Sequence, residues 1–451
     1  MIKKVTISKS IIENNKWTPK FAYIYDKLKD SPEAIEFSNF IEKGPINGID
    51  AREYKENGKS YIRVSDMKRF FLSHSDIKKV DIKETPKKIL LQENDIIISR
   101  KGTPGIAIIV TKSELNSIIG TEAILTRIKK KYDPFYLLAF LNSKMFFEQV
   151  INNLSGAVAS GINHPTLKKL KILYDVNIVP EISSKVQKAI QLQESSMNLI
   201  TKAQNLFYSK TNINNLKTNN EKYFSVNLSD FSDINLWTPI HLYPLYIETI
   251  EYMVNKWPSP KLSEIATIKK GNEVGSENYI EYLDKKDKDI PFIRTSDLIN
   301  YEVDLYPDFY VPEEIYYDLK QDLYPGDILF SNDGKIGVTA FLLPEDKVVI
   351  QSHIKRLRLK ESAIKKGITP EYLFLVLSIK EISKFQAAKY TVIQSTIPTI
   401  SNYLNDFHIP ILDDNTIKEI TLLVKKALNA KQEKKRIMRE VNKKIDHYFD
   451  N

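Results

Sequence analysis

The sequence repeats itself, and this duplication constrains the fold more than any other feature. Short segments of the first half return in the same order in the second half. Their offset drifts upward slowly, from 220 residues between Trp17 and Trp237 to 232 residues between Asp95 and Asp327. Ordered matches of this kind predict a duplicated domain with loop insertions, because chance matches would scatter. The matched segments are 17–19 with 237–239, 37–41 with 262–266, 61–66 with 292–297, 94–107 with 326–339, 134–138 with 370–374, and 164–167 with 397–400.

Each copy has the mixed pattern of an α+β domain. In copy one, β-branched runs at 95–99, 106–110 and 123–128 are bounded by glycine, proline or polar residues, which predicts strands. A helix is expected from Pro134 to about Asn152, since proline suits the first turn of a helix. The matching segments of copy two predict the same strands and the same helix.

A long helix is predicted after each copy, because seam residues recur there at heptad spacing. The first seam runs from about 182 to 208 and the second from 417 to 448, and neither contains glycine or proline. Lys425, Lys426, Lys435, Lys443 and Lys444 are predicted to face solvent. The seam residues are Val186, Ile190, Gln193, Met197, Ile200, Gln204 and Phe207, followed by Ile417, Ile420, Val424, Ala427, Lys431, Lys434, Met438, Val441, Ile445 and Tyr448.

Such helices either cover their own domains or pair with each other. We favour an antiparallel pair that separates two pseudo-two-fold-related α+β domains, because a long helix that is polar on two sides has little domain surface to cover. The predicted organisation is a first domain at 1–179, a first long helix at 180–212, a second domain at 213–411 and a second long helix at 412–451.

Composition narrows the classes of function. The 451 residues contain no cysteine, which excludes disulfides, thiolate zinc sites and cysteine nucleophiles. Lys and Arg number 66 against 57 Asp and Glu, a net charge of +9 that favours a polyanionic partner, although a lysine-rich composition alone also produces it. No segment has the apolar length of a signal-peptide core or a membrane span, so we expect a cytoplasmic protein without a membrane partner.

Candidate nucleic-acid contacts lie on turns that interrupt the strands. The run ending at Ser99 enters a loop with two glycines, where backbone can approach a surface closely and an arginine can fork onto a base or a phosphate. The alternative is an ordinary solvated hairpin. The candidates are Arg100, Lys101 and Thr103 in copy one, and Asn332 and Lys335 at the same place in copy two.

Further candidates occupy matched or similar positions. Arg63 and Arg294 each lie shortly before a Ser-Asp pair, and they either contact phosphate or, as we favour, pair with a nearby carboxylate. Asn163, Gln394 and Ser395 lie in loops before a Pro-Thr pair, where amides can read adenine or simply cap a turn. Trp17 and Trp237 are interpreted as core anchors.

Motifs for catalysis are missing from the sequence. It has no glycine-rich phosphate loop, no GxGxxG that opens a helix and no adenine-methyltransferase tetrapeptide. Asp308, Asp318 and Lys320 form a loose nuclease-like pattern, which supports the enzymatic alternative only weakly in a chain this rich in acids and lysines. The six histidines show no metal-ligand spacing and are predicted to be surface or satisfied core residues.

Together these features resemble the specificity subunit of Type I restriction-modification systems. The resemblance rests on two copies of Tyr/Phe-Ile-Arg-x-Ser-Asp, an Asp-Ile-x-x-Ser strand entering a glycine loop, a Pro-x-Tyr-Leu helix and a closing long helix, and it spans nearly the whole chain. It implies two target-recognition domains that each read half of a bipartite, interrupted DNA sequence, held apart by two antiparallel helices. The family's subunit is not catalytic.

The resemblance also implies partners. They are double-stranded DNA, two methyltransferase subunits and the restriction and translocase subunits. S-adenosylmethionine, ATP and magnesium are expected on those subunits, and no cofactor is expected on this chain. In the family, the long helices commonly begin with a proline-rich segment that contains glutamine. Here that segment is reduced to residues 179–181 and 409–411. This departure bears on docking to the methyltransferase. Related specificity subunits also serve systems outside Type I.

We therefore expect a non-catalytic DNA-recognition subunit. Two alternatives remain at this point. One is a DNA nuclease that uses Asp308, Asp318 and Lys320. The other is a helical adaptor that does not bind DNA and whose positive charge is compositional.

Overall fold

The structure is a computed structural model of the chain. It describes residues 28, 31–154, 161–216, 223–227, 229, 238–275, 282, 289–394 and 397–450. The chain divides into two units, Met1–Gln191 with Lys434–Asn451, and Leu192–Glu433. Trp17, Trp237 and Ser395 lie outside the described residues, and the predictions attached to them stay untested.

Short strands arranged in small sheets form the first unit. These are β1 (Ala34–Glu36), β2 (Ile41–Asn47), β3 (Lys59–Ile62), β4 (Lys78–Val80), β5 (Ile96–Ser99), β6 (Ala107–Ile109), β7 (Ile118–Ile119), β8 (Ala123–Ile128) and β9 (Lys171–Leu173). An antiparallel sheet has the order β2-β8-β5-β6, and its strands β5 and β8 contribute buried side chains to the core. A second sheet has the order β4-β3-β7, in which β3 and β7 are parallel, and β1 pairs with β9.

The second unit is built in the same way. Its strands are β10 (Ala266–Lys270), β11 (Ile290–Ile293), β12 (Leu298–Ile299), β13 (Glu302–Val303), β14 (Phe309–Val311), β15 (Ile328–Ser331), β16 (Thr339–Phe341), β17 (Val349–Ile350), β18 (Ile354–Leu359), β19 (Val392–Gln394) and β20 (Ile397–Thr399). The sheets β10-β18-β15-β16 and β14-β11-β17 repeat the two main sheets of the first unit, including the parallel pair. This shared topology confirms the predicted duplication.

A buried ion pair is repeated at the same place in both units. Arg127 on β8 binds Asp95 through two nitrogens, at 2.7 and 2.8 Å. Arg358 on β18 binds Asp327 at the same two distances. Both carboxylates are 1% exposed. The aspartate of the repeated Asp-Ile-x-x-Ser motif therefore anchors the central strands of each sheet.

The predicted helix after Pro134 is two helices, which corrects its expected length. The first, α1 (Pro134–Leu141), ends before Ser143, whose hydroxyl accepts a hydrogen bond from Phe146 N at 3.3 Å and caps α2 (Lys144–Asn152). A serine at this position favours a helix start over a helix interior, because its side chain satisfies a backbone N–H at the new N-terminus. The later helices are α3 (His164–Lys169), α4 (Val179–Thr211), α5 (Pro244–Lys256), α6 (Leu262–Ile265), α7 (Glu313–Leu319), α8 (Glu361–Ile364), α9 (Pro370–Ser378), α10 (Lys380–Tyr390) and α11 (Asp414–Asp450).

The long helices α4 and α11 confirm the two predicted heptad segments. They contain 33 and 37 residues. In the first unit Glu181 binds Lys444, and Lys185 lies 3.3 Å from Glu440. One residue number rises as the other falls, so these parts of α4 and α11 run antiparallel.

In the second unit the two helices share a hydrophobic core. Ile200 and Phe207 of α4 belong to the same buried cluster as Ile420 and Val424 of α11. This cluster also contains the apolar helix α9, so the long helices pack on the domain as well as on each other.

The predicted seam of α11 is buried from Ile417 to Ile445, including Lys431 and Lys434. Two predictions about this helix are wrong. Lys435, expected in solvent, is 1% exposed, and Tyr448, expected in the seam, is 37% exposed. The helix is covered on more than one side near Lys435, whereas a heptad pattern describes a single stripe.

No helix in the described part of the chain is long and apolar enough to cross a membrane.

Candidate nucleic-acid interface

The turn after β5 is held by its own serine. Ser99 Oγ donates to Thr103 O at 2.5 Å and accepts from Ile106 N at 2.9 Å. Gly102 and Gly105 have φ values of 75° and 96°, a region that favours glycine. The closed turn leaves Thr103 exposed at its tip.

The turn after β15 in the second unit has the same construction. Ser331 Oγ donates to Lys335 O at 2.5 Å and accepts from Val338 N at 2.8 Å. Gly334 and Gly337 have φ values of 69° and 83°. The two turns are therefore equivalent, as predicted, and we call them the reading loops, residues 99–105 and 331–337.

The equivalence pairs residues of different chemistry. It matches Arg100 with Asn332, Lys101 with Asp333, and Thr103 with Lys335. At the first two of these positions the loop of the first unit carries two cations, whereas the loop of the second unit carries an amide and a carboxylate.

Each reading loop has a neighbouring residue that sequence analysis did not identify. It lies on the adjacent strand end, beside the residue that follows the loop's serine. Arg100 N donates to Glu122 O at 2.7 Å, and Asn332 N donates to His353 O at 2.9 Å. Glu122 and His353 thus occupy equivalent positions beside the loops. The neighbour changes together with the loop: an acid lies beside two cations in the first unit, and a histidine lies beside Asp333 in the second.

An open cleft of about 390 Å³ lies against the first reading loop. It brings Arg100 and Lys101 together with Asn163, which the sequence had placed in a different loop. The backbone explains their meeting, because Ile162 N donates to Arg100 O at 3.1 Å and joins the segment after residue 160 to the loop. The cleft is lined by Asn47, Arg100, Lys101, Gly161, Ile162, Asn163, His164 and Pro165.

The cations of this cleft are only loosely paired. Arg100 Nε lies 3.4 Å from one oxygen of Glu122, and Lys101 Nζ lies 3.8 Å from the other. Both distances are long for a charge-assisted hydrogen bond, so the cations keep donors for a ligand.

Sequence analysis did not predict the contact between His164 and Asn47 in this cleft. His164 Nε2 lies 2.7 Å from Asn47 Oδ1. Burial, together with the charges of Arg100 and Lys168, lowers the pKa of His164. The imidazole is therefore neutral at pH 7 and donates to Asn47. Asn163 is exposed, and its Oδ1 caps α3 by accepting from Thr166 N at 2.8 Å.

The second reading loop is closed by its own hydrogen bonds. The side chain of Asp333 is 12% exposed and accepts from Asn332 Nδ2 at 2.8 Å, from His353 Nδ1 at 2.7 Å and from Thr399 Oγ1. Burial opposes the charge of Asp333, but these hydrogen bonds outweigh it and lower its pKa. Asn332 is 3% exposed, whereas Lys335 is exposed.

The position of Thr399 corrects one sequence match. Thr399 forms an isolated antiparallel β-bridge with Asp333, and Gly161 forms the same kind of bridge with Lys101. Thr399 and Gly161 are therefore equivalent. The predicted match of 164–167 with 397–400 is therefore wrong by five residues. It followed a shared Pro-Thr pair, and a dipeptide does not carry enough information to align two loops. Gln394 lies on β19, but its side chain is outside the described residues.

Arg63 and Arg294 both lie in ion pairs. Arg63 binds both oxygens of Asp66, at 2.7 and 2.9 Å, and the hydrogen bond to Asp66 raises its pKa. Arg294 binds Asp308 at 2.8 Å. These contacts agree with the structural interpretation, while a contact to phosphate stays a prediction.

Asp308, Asp318 and Lys320, the nuclease-like pattern of the sequence, do not form a metal site in the structure. Asp308 is occupied by Arg294, and Asp318 is exposed on α7. Within the described ranges no group of three or more His, Asp or Glu residues is placed to hold a metal ion.

Comparison with known proteins gives one family match. The family of the Type I restriction modification DNA specificity domain matches residues 36–174 and 255–439, which together exceed half of the chain. No curated protein matches the chain.

Solved structures of similar proteins overlay only loosely. The Type-I restriction-modification system S subunit from M. genitalium is 14% identical, with 94% of this chain and 97% of that chain covered and a TM-score of 0.34. The HsdS subunit from Thermoanaerobacter tengcongensis is 15% identical, with 92% and 96% covered and a TM-score of 0.27. The family match therefore carries the assignment alone.

Proposed function

The chain belongs to the Type I restriction-modification DNA specificity family, and from this premise we propose that its two repeats each read one half of an interrupted DNA target. The carrying observation is the pair of equivalent reading loops. They share a backbone frame and differ in the side chains they present, as two readers of different bases must.

Charge supports a DNA partner for the first unit. Arg100 and Lys101 line the cleft beside the loop, and their ion pairs with Glu122 are long, at 3.4 and 3.8 Å. Direct base contacts from such residues supply specificity, and contacts to phosphate supply affinity that falls with salt. Arg63 is assigned to the DNA contacts of the first repeat, and Arg294 and Lys335 are assigned to those of the second repeat.

The proposal includes the other components of the system. The chain directs two methyltransferase subunits and the restriction and translocase subunits to its target in the cytoplasm. S-adenosylmethionine, ATP and magnesium act on those subunits, and this chain contributes recognition without catalysis. Magnesium added to the isolated chain is expected to leave DNA intact, and cleavage that Asp318→Ala abolishes would support the nuclease instead.

Footprinting tests the central claim. The complex of this chain with its methyltransferase subunits should protect two short patches of DNA separated by an unprotected gap. Sequencing of methylated sites in the host should return a motif with two parts. A single continuous footprint, or binding that does not depend on sequence, contradicts the proposal.

A further inference from the structure

Strand pairing places Arg100 and Glu122 side by side. The last paired residues of β5 and β8 are Ser99 and Ala123, and the next residues outward are Arg100 and Glu122. Their backbones are joined by the hydrogen bond of 2.7 Å from Arg100 N to Glu122 O. The sheet therefore presents both side chains together, and no ion pair is needed to hold them in place.

The side-chain contact itself contributes little to stability. The two side chains are 27% and 42% exposed, and their closest nitrogen and oxygen atoms are 3.4 Å apart. Exposed ion pairs are typically worth about 0–1 kcal/mol. Glu122 Oε2 is covered and has no hydrogen-bond partner among the described residues, which is unfavourable for an acceptor. The arrangement is not explained by the stability of the unbound protein.

It is explained by the chemistry of a base pair. In the major groove an arginine donates to guanine O6 and N7, and a carboxylate accepts from cytosine N4. Guanine O6 and cytosine N4 are joined by a Watson–Crick hydrogen bond, so the groups that read them must also lie side by side. Resting on the function proposed above, we infer that Arg100 and Glu122 together read one G·C base pair, with Glu122 as a second specificity-determining residue.

The second repeat lacks this arrangement. His353 occupies the position equivalent to Glu122. Asn332, the equivalent of Arg100, is buried, whereas the Arg100 side chain is partly exposed. The first cleft is also kept open by Gly161, since a Cβ there would lie 2.7 Å from Lys101 Cγ. The equivalent Thr399 instead binds Asp333 and closes the loop. The G·C requirement therefore belongs to the half-site of the first repeat.

The test uses the complete complex with its methyltransferase subunits. Its methylation motif is determined first, and binding is then measured on the motif and on its single base-pair changes. Arg100→Ala and Glu122→Ala should each lose preference at one and the same G·C pair, by roughly 5- to 150-fold. 7-Deazaguanine at that pair, which removes N7, should weaken wild type and leave Arg100→Ala unaffected. N4-methylcytosine should weaken wild type more than Glu122→Ala.

Three controls separate the outcomes. Glu93→Ala removes an exposed acid of the same unit and should leave the motif unchanged. Glu122→Gln keeps an acceptor oxygen without the charge and should keep the preference for cytosine. A circular dichroism melt like that of wild type shows that each variant is folded.

Equal changes in affinity on every sequence in Glu122→Ala would overturn the inference, because Glu122 would then act only through its charge. A motif in which no G·C pair depends on Arg100 would also overturn it. Failure of the proposed function is distinguishable, since wild type would then show no two-part motif at all.

Discussion

Gln149 and Gln386 make the same two backbone hydrogen bonds in the two repeats. Gln149 donates to Lys171 O and accepts from Lys171 N, both at 2.9 Å. Gln386 does the same with His408, at 2.9 and 2.8 Å. Both glutamines are buried. The duplication therefore extends to polar contacts that lie outside the recognisable sequence motifs.

Replacing either glutamine should destabilise its own unit. Gln149→Leu leaves the N–H and the C=O of Lys171 without these partners, and each unsatisfied buried group costs about 1–3 kcal/mol. We expect a lower urea midpoint for Gln149→Leu and for Gln386→Leu. Gln92→Leu, at an exposed position, is the matched control and should unfold as wild type does.

Removing the arginine of the repeated ion pair should lower the free energy of unfolding more than replacing either glutamine does. Arg127→Ala leaves Asp95 as a buried carboxylate without its ion pair, a change that typically costs about 3–5 kcal/mol. Arg358→Ala should have the same effect on Asp327. The free energy of unfolding from denaturant titration measures both, and Arg52→Ala, whose side chain is 89% exposed, should change little. A loss as small as that of Arg52→Ala would contradict the anchoring role.

The buried lysine of α11 depends on its partner. Lys431 Nζ donates to Asn300 O at 2.7 Å and lies 3.2 Å from Glu302 Oε1, with both side chains almost fully buried. Lys431→Met should destabilise the second unit by about 3–5 kcal/mol, because a carboxylate then loses its cation. Adding Glu302→Gln should restore part of that loss. If the double variant is no more stable than Lys431→Met, the two charges are not coupled.

The pH dependence of stability should reveal Lys389. Burial lowers the pKa of Lys389 to about 8, beside His241 Nε2 at 3.1 Å. The unfolded chain keeps the ordinary pKa of about 10.4 and so binds more protons above pH 8, which makes the free energy of unfolding rise with pH in this window. The difference between wild type and Lys389→Met should therefore shift in favour of wild type from pH 7.5 to about 9.5. Parallel pH curves for the two proteins would contradict this assignment.

We expect the two reading loops to determine base preference in different half-sites of the DNA target. Lys335→Ala removes the exposed cation of the second reading loop and should change preference in the half-site opposite to that affected by Arg100→Ala, by about 1–3 kcal/mol for a direct base contact. Selection from randomised half-sites with the assembled complex measures this. Uniform weakening on all sequences would reassign Lys335 to phosphate.

Local patterns predicted the elements well. The β-branched runs became strands, and seam residues such as Val186 and Ile190 are buried on α4. The helix break at Ser143 was missed, because a capping serine inside an apolar run gives a weak signal. Lys435 was misplaced for a different reason, since a heptad pattern does not report which other elements cover the helix.

The sequence by itself determined the duplication, the strands and the long helices, because periodicity and the order of motifs are properties of neighbouring residues. It also located both reading loops, since glycine and serine mark such turns. Only the tertiary structure decided what surrounds those loops. Glu122 and His353 come from the ends of paired strands, and Asn47 meets His164 across 117 residues. Hydrogen bonding between distant segments sets these neighbours, and no spacing along the chain encodes it.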